Sequence, residues 1–306
     1  MTGGVTDGAM FVRVGGVPHH VAVAGEGPVV VLSAGLGLGW FDWNPVVPLL
    51  TPYRTVVRFD RPGHGLSAPA GTPPTAAGEA RRITGLLDAL GLGDRPATVV
   101  GHSVAGFHAE AYARLHPGRT TGVVLVDSSV EERAVAPAAP ALRTAAARAV
   151  GGTLGALGIP AAFGPPVRRL AVRLSRTGGG DPAPAELVRA VYGTTRVLRG
   201  ALLENAHYTA VAAELLALRE RRPLPPGAPV TVLAATAGGR RWTARQRDLA
   251  LALDARFREI GPSGHLMMLD RPDAIARAVL EPGPPPPDGA APAGIGGNGR
   301  GQDDRA

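Results

Sequence analysis

Among the side chains able to do chemistry, one serine has a setting that suits it to reaction. It lies in Val99-Val100-Gly101-His102-Ser103-Val104-Ala105-Gly106, where an apolar run meets a glycine, the serine, small residues and then a helical pattern. A serine at a strand-to-helix junction sits on a sharp turn that lifts its hydroxyl above the carboxyl edge of a sheet. Small neighbours keep the turn clear of the adjacent strand and helix. The helix that follows turns its free N–H groups toward any developing negative charge. A small-residue turn with an incidental serine fits this stretch taken alone equally well. Composition narrows the rivals. The chain has no Cys, and all 32 of its Lys-or-Arg residues are Arg. Thiolate nucleophiles, thiolate metal sites, disulfides, Schiff bases and a phosphate-loop lysine are therefore excluded. Nucleophiles reduce mainly to Ser, Thr, Asp and Glu.

Paired carboxylates, metal-ligand spacing and a dinucleotide fingerprint are absent, so neither cofactor nor metal is expected. Gly35, Gly37 and Gly39 form a G-x-G-x-G run after an apolar stretch, without the third-glycine spacing or acidic ribose partner of a nucleotide site. The formal charge of +7 comes from arginines spread between Arg13 and Arg305 that never extend beyond pairs. With few aromatics, this reads as a scattered charged surface and no nucleic-acid partner is expected.

The elements that would carry the serine follow from periodicity. Val-rich runs at 29–32, 56–59, 97–100, 121–126 and 230–234 suit strands covered on both faces of a parallel sheet. Two more strands are expected at 10–14 and 18–24, and another at 256–260. Helical patterns occupy 75–91, 104–116 and 242–254. This alternation predicts a doubly wound, mostly parallel eight-stranded α/β sheet with helices on both faces. From 131 to 222 no strand is expected. The stretch reads as a helical insertion, interrupted at 151–166 and 178–184 by Gly and Pro.

The serine stretch resembles the nucleophile elbow of the α/β-hydrolase family, and three further stretches resemble the family in its order. Leu32-Ser33-Ala34-Gly35-Leu36-Gly37 is similar to the oxyanion loop. Phe59-Asp60-Arg61-Pro62-Gly63-His64-Gly65-Leu66-Ser67 is similar to the glycine-rich turn after the fourth strand. Gly261-Pro262-Ser263-Gly264-His265 is similar to the loop bearing the catalytic histidine. Two positions depart from the pattern: Ala105 stands where the family usually has Gly, and Ala34 where a His before the oxyanion-loop Gly is common.

The resemblance implies a serine hydrolase with a helical cap. Ser103 would be the nucleophile, His265 the base, and the backbone N–H groups of Leu36 and Val104 the oxyanion hole. His64 and His102 read as structural partners. The acid is open. The usual position after the seventh strand, 235–240, holds no carboxylate. Asp127 at the end of the sixth strand is the first candidate, followed by Glu131 or Glu132, then Asp248, or none. The expected partner is a small-molecule acyl substrate, apolar or amphipathic if Leu154, Leu157, Ile159, Phe163, Leu170 and Leu203 line its site, with Trp40 as a pocket residue. Acyl transfer, carbon–carbon bond hydrolysis or natural-product cyclisation on the same residues, and an inactive binding protein, are the alternatives. The domains expected are a core from 1–130 and 226–281, a cap at 131–225, and a Gly/Pro-rich disordered tail at 282–306. No secretory signal or membrane segment is expected, and a cytoplasmic location follows from that.

Overall fold

The computed structural model describes residues 8–69 and 71–281; the proposed tail at 282–306 lies outside them. Eight strands form one sheet: β1 (Gly8–Val14), β2 (Val17–Ala24), β3 (Val29–Ser33), β4 (Thr55–Phe59), β5 (Ala97–His102), β6 (Thr120–Val126), β7 (Val230–Ala235) and β8 (Arg256–Ile260). Their order is β1-β2-β4-β3-β5-β6-β7-β8. β1 and β2 pair antiparallel, as do β2 and β4, and every pairing from β4 to β8 is parallel. The doubly wound fold expected from the strand pattern is the one observed.

Side chains of a strand alternate between faces, and here both faces are apolar. Val29, Val31, Val57, Val99, Val123 and Leu125 pack on one side with helices α2 (Ala76–Ala89) and α3 (Ala105–Leu115). Val30, Leu32, Val56, Val100, Val124 and Val126 pack on the other, against α1 (Val47–Leu50) and the C-terminal segment. That double coverage explains why the strands read as unbroken Val-rich runs.

Four helices lie between β6 and β7: α4 (Pro140–Ala156), α5 (Ile159–Leu174), α6 (Ala185–Tyr192) and α7 (Thr195–Arg221). The core then resumes with α8 (Gly239–Ala252), α9 (Met267–Asp270) and α10 (Pro272–Leu280). The expected interruption at 151–166 is corrected: only 157–158 lie outside helix, whereas Gly151 falls inside α4 and Pro165 and Pro166 inside α5. Packing overrides propensity at these positions. A Cβ on Gly155 would press into Thr195 of α7, and one on Gly164 would collide with the Tyr192 carbonyl of α6. The α8 helix also begins three residues earlier than its sequence pattern predicts, at Gly239.

Candidate active site

β5 ends at His102, and the chain turns into α3 through Ser103, whose φ is 54°. A non-glycine residue rarely occupies this left-handed region, so the surrounding contacts must hold it. The Ser103 N–H donates to the Val126 carbonyl at 3.1 Å, and its own carbonyl accepts from the Ser129 N–H at 3.1 Å. Ala105, in place of the family's glycine, is completely buried at the first position of α3.

One strand away the same device recurs. β6 ends at Val126, and Asp127 takes a φ of 41°. Its N–H donates to the Leu233 carbonyl of β7 at 2.7 Å. Oδ1 accepts from the Ala235 N–H at 2.9 Å and from the Trp242 indole N–H at 2.7 Å. Oδ2 accepts from His265 Nδ1 at 2.6 Å. A carboxylate fixed by two other donors presents its remaining oxygen in one direction, and the ring it meets must carry its proton on Nδ1, leaving Nε2 with a lone pair.

The other carboxylates weighed for this place are elsewhere. Glu131 accepts from the Tyr208 hydroxyl at 3.1 Å, Glu132 lies 3.6 Å from Arg245, and Asp248 is exposed on α8. His102 Nε2 donates to the His265 carbonyl at 2.9 Å, and the two rings lie 4.6 Å apart. Burial, reinforced by the neighbouring His265, holds His102 well below the ordinary histidine range. It is thus a neutral brace for the His265 loop.

The loop after β3 lies against this turn. A Cβ on Gly35 would stand 2.7 Å from His102 Nδ1 and 3.0 Å from Ser103 Cβ, so only glycine permits the approach. The Leu36 and Val104 N–H groups have no hydrogen-bond partner among the described residues. Sequence reasoning noted the missing loop histidine at Ala34 and missed what replaces it. The buried Arg61 guanidinium donates to the Ala34 carbonyl, and to the Gly35 carbonyl at 2.8 Å. Glu204 of α7 grips the other side of Arg61 at 2.7 and 2.8 Å. Only the lone charged pair within an otherwise ordinary D-R-P-G turn hinted at this, since Glu204 is 143 residues away.

Ser103 and His265 open into a cavity of about 540 Å³ that Leu36 also lines. Its walls are largely apolar, with Leu38, Phe163, Val167, Val172 and Leu198 among them. Of the insertion residues expected there, Ile159 and Phe163 do line it; Leu203 faces a second cavity, and Leu154, Leu157 and Leu170 line neither. Trp40 does not line the Ser103 cavity either. Its N–H is drawn to Asp60 Oδ1 at 2.8 Å, and its ring sits under Arg58 and beside His20. Arg168, the one charged wall residue among the described residues, is matched by Asp42 and Asp181. Tyr192 donates to the Gly37 carbonyl at 2.8 Å and accepts from Arg168 at 3.2 Å, joining α5 and α6 to the loop after β3.

The second cavity, about 590 Å³, is lined by Arg61, His64, Arg82, Arg196 and Glu204 and contains neither Ser103 nor His265. Among the described residues, no group of three or more His, Asp or Glu is arranged to hold a metal ion, and no helix is long and apolar enough to cross a membrane.

A family model described as the alpha/beta hydrolase family matches residues 29–278. The chain belongs to that family. Pimeloyl-[acyl-carrier protein] methyl ester esterase of Methylococcus capsulatus is 36% identical over 107 residues, which cover 35% of this chain and 39% of the esterase. Polyketide synthase ThaQ of Burkholderia thailandensis is 28% identical over 280 residues, 91% of this chain but 13% of ThaQ. These matches thus span well under half the length of either curated relative. Among solved structures, the enol-lactonase from Burkholderia xenovorans LB400 superposes with a TM-score of 0.62 at 26% identity, covering 89% of this chain and 98% of that one.

Proposed function

We propose that this family member is a serine hydrolase that cleaves a carboxylic ester, or a related acyl bond, of a small apolar or amphipathic molecule. The observation that carries the reading is the Asp127–His265 contact at 2.6 Å beside a cavity shared by His265 and Ser103. With Nδ1 committed to Asp127, His265 Nε2 is free to take the Ser103 hydroxyl proton as Oγ attacks the acyl carbon. The tetrahedral intermediate puts its negative charge on the former carbonyl oxygen, where the Leu36 and Val104 N–H groups receive it. Collapse expels the alcohol, which takes the proton from His265. Water then repeats the sequence on the acyl-enzyme, releasing the acid and restoring Ser103. Asp127 holds the tautomer and offsets the imidazolium charge. The apolar walls suit the acyl chain, and the four helices of the insertion serve as the cap over it. The esterase and the enol-lactonase bear names that denote cleavage of ester-type bonds, which supports the same choice of bond.

Treating the folded protein with a fluorophosphonate tests this. Labelling and turnover of p-nitrophenyl esters are expected in the wild type, and neither in Ser103→Ala with an unchanged circular dichroism spectrum. A folded wild type inert to both would leave the inactive-binder reading in place. The match to ThaQ along 91% of the chain favours a second reading on the same residues, transfer or cyclising release of a thioester-borne acyl chain. Faster turnover of an N-acetylcysteamine thioester of a hydroxyacyl chain, with lactone and not free acid as product, would select it.

A further inference from the structure

We infer that Arg61 is a positioning residue for the oxyanion hole, and that Glu204 of the helical insertion holds it to that task. The inference rests on the roles proposed above for Ser103 and the Leu36 N–H. The Gly35 carbonyl and the Leu36 N–H belong to one peptide unit, which is planar and trans, so the two bonds point in opposite directions. Arg61 Nη2 holds that carbonyl at 2.8 Å, and another of its nitrogens holds the preceding carbonyl, of Ala34. Clamping two successive carbonyl oxygens, that of Gly35 also accepting from the Leu38 N–H at 3.1 Å, removes the freedom of the Gly35–Leu36 peptide to rotate. The Leu36 N–H is thereby turned away from Arg61 and toward the cavity that Leu36 shares with Ser103. A cationic donor on the carbonyl also polarises the amide, which strengthens its N–H as a donor.

The loop has no side chain of its own for this purpose, since Ala34, Gly35 and Gly37 occupy it. Nor is the ion pair readily explained as a stability device. A buried pair is often matched or bettered by an apolar pair of similar volume, yet Arg61 and Glu204 are 3% and 5% exposed. Only a rigid fork can satisfy two carbonyls and a carboxylate together, which lysine cannot do. Glu204 fixes the fork from the far side at 2.7 and 2.8 Å, with His64 Nε2 3.3 Å behind it. Burial alone would raise the Glu204 pKa, but Arg61 and His64 hold it well below the ordinary carboxylate range. Because Glu204 sits on α7, the direction of the Leu36 N–H depends on how the insertion is seated on the sheet.

The test compares Arg61→Lys, Glu204→Gln and the charge-free double variant R61M/E204L with wild type. Each is assayed with a p-nitrophenyl ester and with two inhibitors of one acyl chain: a trifluoromethyl ketone, which forms an oxyanion adduct on serine, and the plain methyl ketone, which does not. Arg219→Met serves as a control on the same helix, removing an ion pair with Glu110 of α3 that makes no contact with Arg61 or Glu204. Arg61→Lys and R61M/E204L are expected to lose about 10- to 100-fold in kcat with KM nearly unchanged, less than the loss of a whole oxyanion donor. Trifluoromethyl ketone affinity should fall in parallel while methyl ketone affinity holds, with Glu204→Gln showing a smaller step in the same direction. Arg219→Met should lower Tm without changing either ratio. Folded R61M/E204L or Arg61→Lys with wild-type kcat and wild-type ketone selectivity would overturn the positioning role and leave the hydrolase reading intact. A wild type that neither turns over the ester nor discriminates between the ketones would overturn both.

Discussion

The carboxyl edge of the sheet and the helical insertion solve different problems. At the edge, Ser103 and Asp127 end adjacent strands with positive φ values of 54° and 41°, and backbone bonds to β6, β7 and the next turn hold both. The insertion has no such local strain among its functional contacts, and reaches the site mainly through side chains. Arg168 of α5 meets Asp42, Tyr192 of α6 meets the Gly37 carbonyl, and Glu204 of α7 meets Arg61. Beyond α5, the Ser175 carbonyl accepts from Leu266, directly after His265, and Thr177 donates to Asp270. The edge therefore places the candidate reactive groups, while the insertion fixes the loops that surround them.

The largest effect that would break this contrast is expected at Asp127. Asp127→Asn keeps the size and the Oδ1 bonds to Ala235 and Trp242 but turns an NH2 donor toward His265 Nδ1 where the carboxylate accepted. A loss of about 10⁴-fold in kcat is expected with the fold retained, by the behaviour of an amide in this role. Single-turnover kinetics at pH 7.5 with a p-nitrophenyl ester measures it. A near-normal rate would mean that the strand-end carboxylate is a brace and nothing more.

The same contrast decides what could be read from sequence. Ser103 and His265 lie in short stretches whose glycines and strand ends are local facts, and Asp127 ends a Val-rich run just as plainly. The positions of the five Val-rich strands, β3 to β7, followed from runs whose two-sided burial left no alternation to misread. Trp242 was not legible as a partner of Asp127, because its indole comes from a helix that begins 112 residues after that strand end. Arg61 was legible as part of a turn but not as a clamp, since its second partner lies on α7. The break expected at 151–166 failed for a related reason: glycine lowers helix propensity locally, whereas here it lets α4 and α7 approach. Trp40 follows the loop in sequence, yet its N–H donates to Asp60, its ring packs against Arg58 and His20, and it does not line the cavity.

Acid should damage the core side of the comparison first. His108 of α3 is fully buried, and neither ring nitrogen has a partner among the described residues. Burial pushes its pKa down to about 4. Between pH 6.5 and 4 the unfolded chain therefore binds a proton that the folded chain refuses, so stability falls as pH drops through that window and levels off below it. The effect amounts to about 3 kcal/mol at one unit per 1.36 kcal/mol. Urea midpoints at pH 7.5, 5.5 and 4.5 should converge less steeply for His108→Leu than for wild type. His207 on α7, bonded to the Thr144 hydroxyl at 2.9 Å, offers the matching insertion variant, and an equal flattening by His207→Leu would erase the distinction.

Inside the insertion, two glycines separate packing from propensity. At Gly164, the added methyl of Gly164→Ala would meet the Tyr192 carbonyl, forcing α5 and α6 apart at a cost of about 1–3 kcal/mol. Because Tyr192 also holds Gly37, a modest fall in kcat/KM on the p-nitrophenyl ester should accompany the lower Tm. At Gly152 of α4, an added methyl meets nothing within 4 Å, and the only change is in backbone and helix preference. Gly152→Ala should thus stabilise the chain by about 0.5–1 kcal/mol and leave kinetics on the p-nitrophenyl ester untouched. Thermal melts of the two variants side by side read the difference in sign. Destabilisation by both would mean that α4 is packed on its outer face too, and that its glycines serve contacts on either side rather than only the seam with α7.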